Sequence, residues 1–189
     1  MAEAGLTRKT GRARDEVRRN RAVGLAIAIL VLAADQLSKW AVLNPLRLVE
    51  RSLGGEGIVL LPFFRFIYVE NPGISMRFLP ADGHVARWLL VALTGAIAAF
   101  VLAWMWREKR RDDAIALALI LGGALGNILD RVRLGFVVDF ADLHVGDLHP
   151  FLVFNLGDAA ITVGVLVLLA RALLRDGRKP RGPAEATNG

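Results

Sequence analysis

The chain has no cysteine, one tyrosine and three histidines in 189 residues. Without thiols there is no disulfide, no thiolate nucleophile and no cysteine-based metal or iron–sulfur site. It also lacks a G-x-x-x-x-G-K-[ST] phosphate loop and a G-x-S-x-G nucleophile elbow, so nucleotide-driven and serine-hydrolase chemistry have no sequence support. Chemistry must then come from carboxylates, amides, hydroxyls or histidine.

What the chain has in excess is apolar surface. Hydrophobic residues make up 54%, and exchanging the tyrosine for the 19 glycines gives about 64% on a count where soluble proteins sit near about 45–50%. The length fits one domain at about 150 residues each. A spanning helix needs about 20 mostly apolar residues. Four stretches qualify: 22–43, 88–106, 114–129 and 151–170. The second is uncharged and has Trp88 at one end with Trp104 and Trp106 at the other, as expected of rings at two interfaces. The other three are flawed. Asp35, Ser38 and Lys39 interrupt the first, Asn127 the third, and Asn155 with Asp158 the fourth.

Charge sets the expected orientation. Lysines and arginines exceed acids 24 to 18. Seven basic residues lie in positions 1–21, four in 107–113 and five from Arg171 onward, against four in the 41 positions from Asn44 to His84. The positive-inside bias then puts both termini in the cytoplasm. With that topology Asp35, Lys39, Asn127, Asn155 and Asp158 gather at one depth near the outer surface. Residues 1–21 read as a basic cytoplasmic segment, 22–174 as a membrane domain and 175–189 as a disordered cytoplasmic tail. The first span reads as a retained anchor rather than a cleaved signal, because three more spans follow and no small-residue cleavage site precedes a polar domain. Nothing aromatic or groove-reading accompanies the basic start, so nucleic acid is not an expected partner. Ile58 to Val69, rich in β-branched and aromatic residues, predicts strands or an interfacial hairpin, and Gly135 to Phe140 a second extended run. The expected fold is therefore an α-helical membrane protein with four transmembrane helices and a small β-structured element on the outer face.

Ionisable residues inside apolar spans are functional candidates, since a charge at the bilayer centre costs about 2.5–3.5 kcal/mol on insertion scales. Asp35 and Lys39 have the i,i+4 spacing of a self-neutralising pair that orients a helix, with direct catalysis the lesser reading. Gly122, Gly123 and Gly126 form a small-residue pattern for close helix packing. Asp130 and Arg131 read either as a local pair or, for Arg131, as a ligand for a lipid phosphate. Asp158 alone would serve as an N-cap and Asp139 as a turn residue. Brought together they would share a proton, one acting as base toward water and the other as acid toward a leaving group. The repeated D-x-H of Asp142, His144, Asp147 and His149 is a weak metal signal, outweighed by chance in a surface loop.

Five ordered motifs then coincide: Asp35-Gln36-Leu37-Ser38-Lys39, Asn71-Pro72-Gly73, Gly122 to Arg131 (GGALGNILDR), Gly135 to Phe140 (GFVVDF) and Phe154 to Ala160 (FNLGDAA). Together they closely resemble bacterial lipoprotein signal peptidases, or signal peptidase II, from about Ala22 to Leu174. The resemblance implies an inner-membrane aspartic endopeptidase that removes signal peptides from diacylglyceryl-modified prolipoproteins, cutting before the lipidated cysteine. It implies Asp139 and Asp158 as the catalytic dyad, Asn71, Asn127, Arg131 and Asn155 lining the site, and Asp35 with Lys39 shaping it. No metal or cofactor is expected. Partners would be the prolipoprotein and membrane lipids, with the protein a monomer. Ile74-Ser75-Met76-Arg77-Phe78 departs from the small residues that usually follow the Asn-x-Gly motif. The competing classes are a small proton-coupled transporter, whose embedded acids form a relay, and a non-enzymatic assembly factor that uses polar residues as interhelical glue.

Overall fold

A computed structural model describes residues 2–55, 57–73, 83–146, 148 and 152–176. Helix α1 (Ala2–Leu43) stops where Asn44-Pro45 prevents its continuation. A short α2 (Leu48–Leu53) leads into strands β1 (Ile58–Leu61) and β2 (Phe64–Asn71). Helices α3 (Gly83–Arg107) and α4 (Arg111–Arg133) follow, then β3 (Val137–Leu143) and α5 (Leu156–Asp176). Four of these helices, α1, α3, α4 and α5, are long and apolar enough to cross a membrane.

Helix α4 is the central member. Its buried face runs Ala114, Ala118, Leu121, Gly122 and on to Asn127 and Asp130, the helical repeat of an element covered by neighbours. Ala28 of α1, Ala98, Val101 and Met105 of α3, and Leu117 and Leu121 of α4 form one apolar cluster. Ile29, Leu93, Phe100 and Leu169 point outward and exposed from α1, α3 and α5, a surface suited to lipid. The small-residue pattern works as close packing. A Cβ on Gly123 would collide with the Gly157 carbonyl of α5, and one on Gly126 with the Asp35 carboxylate of α1.

The strands form an antiparallel sheet in the order β1-β2-β3 at one end of the bundle. Phe64, Phe66 and Phe140 stack edge to face on it. The register Val69↔Asp139 and Asn71↔Val137 puts Asn71 diagonally across from Asp139 on the same face. The chain just before α5 also pairs with β3: the Ala141 N–H donates to the Phe154 carbonyl at 2.8 Å and the Phe154 N–H to the Ala141 carbonyl at 3.0 Å. Asn155 is thereby carried to Asp139.

This pairing corrects the expected fourth span. None of the described residues 152–155 is helical, Phe154 bridges to Ala141, and α5 begins at Leu156. The apolar run that hydropathy joins into one span is spent partly on the sheet.

Candidate active site

Asn155 rather than Asp158 caps α5. Its Oδ1 accepts the Asp158 N–H at 2.9 Å, while Asp158 Oδ2 accepts the Asn155 N–H at 3.2 Å, a reciprocal capping box with an acid at the third helical position. Asp158 therefore sits in the first helical turn, where the N-terminal dipole favours a carboxylate. The other edge of Asn155 faces Asp139, whose Oδ1 accepts from Asn155 Nδ2 at 2.7 Å. One residue thus holds both acids.

Two more amides complete the arrangement, and each is oriented by what binds its oxygen. Asn71 Oδ1 accepts the Gly73 N–H at 3.0 Å, which turns Nδ2 toward Asp139 Oδ2 at 2.9 Å. Asn127 Oδ1 accepts from Lys39 Nζ and Asn155 Nδ2, both at 3.1 Å, which turns its Nδ2 toward Asp158 Oδ1 at 2.8 Å. Asp139 is buried, and burial is the first reason its pKa rises to about 6. Donation from Asn71 opposes the rise, the Asp158 charge adds to it, and Asn155 and Lys39 oppose it.

Behind the amides lies a buried ionic cluster. Lys39 Nζ is 2.8 Å from Asp35 Oδ2 and 2.8 Å from Asp130 Oδ2. Asp35 Oδ1 also accepts the Gly157 N–H at 2.9 Å, tying α1 to the first turn of α5. The intrahelical Asp35–Lys39 pair forms as its spacing suggests. The local Asp130–Arg131 pair does not: Asp130 turns inward to Lys39, and Arg131 Nε, though buried, has no hydrogen-bond partner among the described residues. Sequence reasoning missed Gln36, whose Nε2 donates to Asp130 Oδ1 at 2.9 Å.

The remaining candidates lie apart or outside. Asp142 is bound by Arg65 of β2 at 2.7 Å, with His144 Nδ1 3.8 Å from its carboxylate. Asp147, His149 and the divergent residues Ile74 to Phe78 lie outside the described residues.

A family profile described as Signal peptidase (SPase) II matches residues 27–174, which contain every residue of the cluster. The chain belongs to the signal peptidase II family. The lipoprotein signal peptidase of Rhizorhabdus wittichii is 55% identical over 166 residues, covering 88% of this chain and 93% of that protein. That of Sphingopyxis alaskensis is 54% identical over 151 residues, 80% and 85% of the two chains. A bacterial membrane enzyme solved by the in meso method at 2.3 Å resolution shares the fold, with a TM-score of 0.67 and 25% identity over 86% of this chain and 94% of that one. Membership in the signal peptidase II family and four apolar helices make this a multi-pass protein of the bacterial inner membrane.

Proposed function

We propose that this signal peptidase II cleaves the signal peptide from diacylglyceryl-modified prolipoproteins by an aspartic mechanism, with Asp139 and Asp158 as the catalytic pair. The observation that carries the reading is the double grip of Asn155, which donates Nδ2 to Asp139 and its backbone N–H to Asp158. The two acids, 19 positions apart in sequence, are thereby fixed against one polar side chain.

In this mechanism Asp158 is the carboxylate that takes a proton from water. The hydroxide adds to the scissile carbonyl carbon. Asp139, whose pKa burial raises to about 6, gives its proton to the leaving nitrogen as the C–N bond breaks. The turn leaves Asp158 protonated and Asp139 ionised, and exchange with solvent restores them. Apparent pKa values belong to the pair. Both amide protons of Asn155 are committed, to Asp139 and Asn127. Asn127 uses one on Asp158, and its second has no partner among the described residues, which leaves it for the developing oxyanion. No cofactor or metal takes part. In this reading Arg131 lines the site beside the two acids and faces lipid or substrate headgroups.

Both termini face the cytoplasm, the basic residues up to Arg21 forming the cytoplasmic start of α1, and the sheet end lies at the outer leaflet; the expected tail beyond Asp176 lies outside the described residues. A substrate held in the membrane by its own apolar helix and acyl chains must reach such a site laterally, and the enzyme acts as a monomer. The test is cleavage of a diacylglyceryl-modified prolipoprotein by purified protein in detergent. Asp139→Asn and Asp158→Asn should each lower kcat by at least about a thousandfold while remaining folded, as expected for members of a unit that acts together. Normal cutting by both variants would overturn the pair.

A further inference from the structure

The Lys39 ammonium donates to Asp35 and Asn127 and forms an ion pair with Asp130. Asp35 alone would neutralise it. A second carboxylate in the same buried space exceeds the charge of Lys39, and burying it costs free energy unless its own contacts offset that. The contacts of Asp130, itself on α4, reach two further elements. Its Oδ2 lies 2.8 Å from Lys39 Nζ of α1 in an ion pair and accepts the Val138 N–H of β3 at 3.2 Å, and its Oδ1 accepts from Gln36 of α1 at 2.9 Å. Val138 directly precedes Asp139. Lys39 orients the Asn127 amide that donates to Asp158.

We propose that Asp130 is a positioning residue for the cleavage reaction, aligning Asp139 through the Val138 N–H and Asp158 through Lys39 and Asn127. The inference rests on the catalytic pair proposed above. Both arms start from one carboxylate, so Asp130 sets the separation of the two acids instead of placing either alone. An asparagine at this position can still accept from Gln36 but lacks the charge that holds Lys39 in place.

The test is steady-state cleavage by Asp130→Asn, with the folded fraction counted by thermal unfolding in detergent. Per folded molecule, kcat should fall by about tenfold to a hundredfold with KM within about twofold, since misplacing reacting groups by about 1 Å costs that much. A purely structural role would reduce the folded fraction and leave kcat per folded molecule unchanged, and that result overturns the proposal. If Asp130→Asn does not fold, Gln36→Met, which removes the Oδ1 partner and keeps the Lys39 pair, decides: it should lower kcat at unchanged KM, and a normal kcat overturns the proposal. Asp139→Asn and Asp158→Asn run alongside. If they are dead and Asp130→Asn is fully active, only the role of Asp130 fails; if they cut normally, the catalytic pair fails and the positioning role with it.

Discussion

At the end of the bundle away from the sheet, Asp112 and Asp113 open α4 and meet Arg171 of α5, with Arg171 Nη1 2.6 Å from Asp112 and Nε bonded to Asp113. At the sheet end, Asp139 and Asp158 meet asparagines. The first pair has a direct cation and lies at the positive pole of a helix. Nearby, Asn20 Nδ2 donates to the Lys109 carbonyl and Arg21 Nε to the Trp106 carbonyl, and the Arg21 guanidinium lies over the Trp106 ring. That end is a clamp. At the sheet end, Asp35 and Asp130 have Lys39 and Asp142 has Arg65, whereas among the described residues Asp139 and Asp158 form no ion pair within 4 Å. An acid held in place by amides, with Lys39 and Arg131 acting on it from beyond ion-pair distance, can change its proton. The contrast separates acids that hold the fold from acids placed to react.

Removing the cation tests the distinction most severely after the loss of the two acids themselves. Lys39→Met leaves Asp35 and Asp130 buried and facing each other, and should destabilise the protein by about 3–5 kcal/mol, read from the unfolding midpoint in detergent. A loss below about 1 kcal/mol would mean that the cluster is hydrated and the contrast between the two ends is false.

The next effect concerns pH. The folded-state pKa of Asp139 lies above its ordinary value, at about 6 instead of 3.8. Its contribution to stability is therefore fully present below about pH 4 and is lost as pH rises through 6. Compared with Asp139→Asn, the wild-type protein should lose ground over that window and level off above it, by at most about 3 kcal/mol. Parallel unfolding series at pH 4 to 8 measure the difference. A gap that stays constant across the window would mean that Asp139 titrates like an exposed acid.

Much of this site could be read from the order of residues, and the exceptions have physical causes. The four apolar helices, the extended run around Ile58 to Val69 and the Asp35–Lys39 pair follow from local spacing. The partner of Asp130 does not. Adjacent helical residues diverge by about 100°, so Asp130 and Arg131 cannot share a face, however suggestive their charges. The usable signal was Gly123, Asn127 and Asp130 at i, i+4 and i+7, which puts Asp130 on the packed face. The start of α5 was hidden for another reason: hydropathy does not distinguish an apolar residue paired with a strand, as Phe154 is with Ala141, from one in a spanning helix. The polar pair three apart, Asn155 and Asp158, marks the true boundary, because a capping box needs that spacing.

The clamp end supplies the smallest effects and the finest division. Asp113 is buried and Asp112 is 65% exposed at its side chain, yet both bind the same guanidinium. If burial decides what such a contact is worth, Asp113→Asn should cost about 1–3 kcal/mol, since it weakens a charged partner that water cannot replace. Asp112→Asn should cost no more than about 0.5 kcal/mol, the scale of an exposed pair. Neither touches the sheet end, so kcat per folded molecule should stay at the wild-type value in both. Equal losses would mean that the helix N-terminus, which both acids share, outweighs burial there. A fall in kcat with either would mean that the clamp reaches Asp158 along α5, and the two ends would no longer be separable.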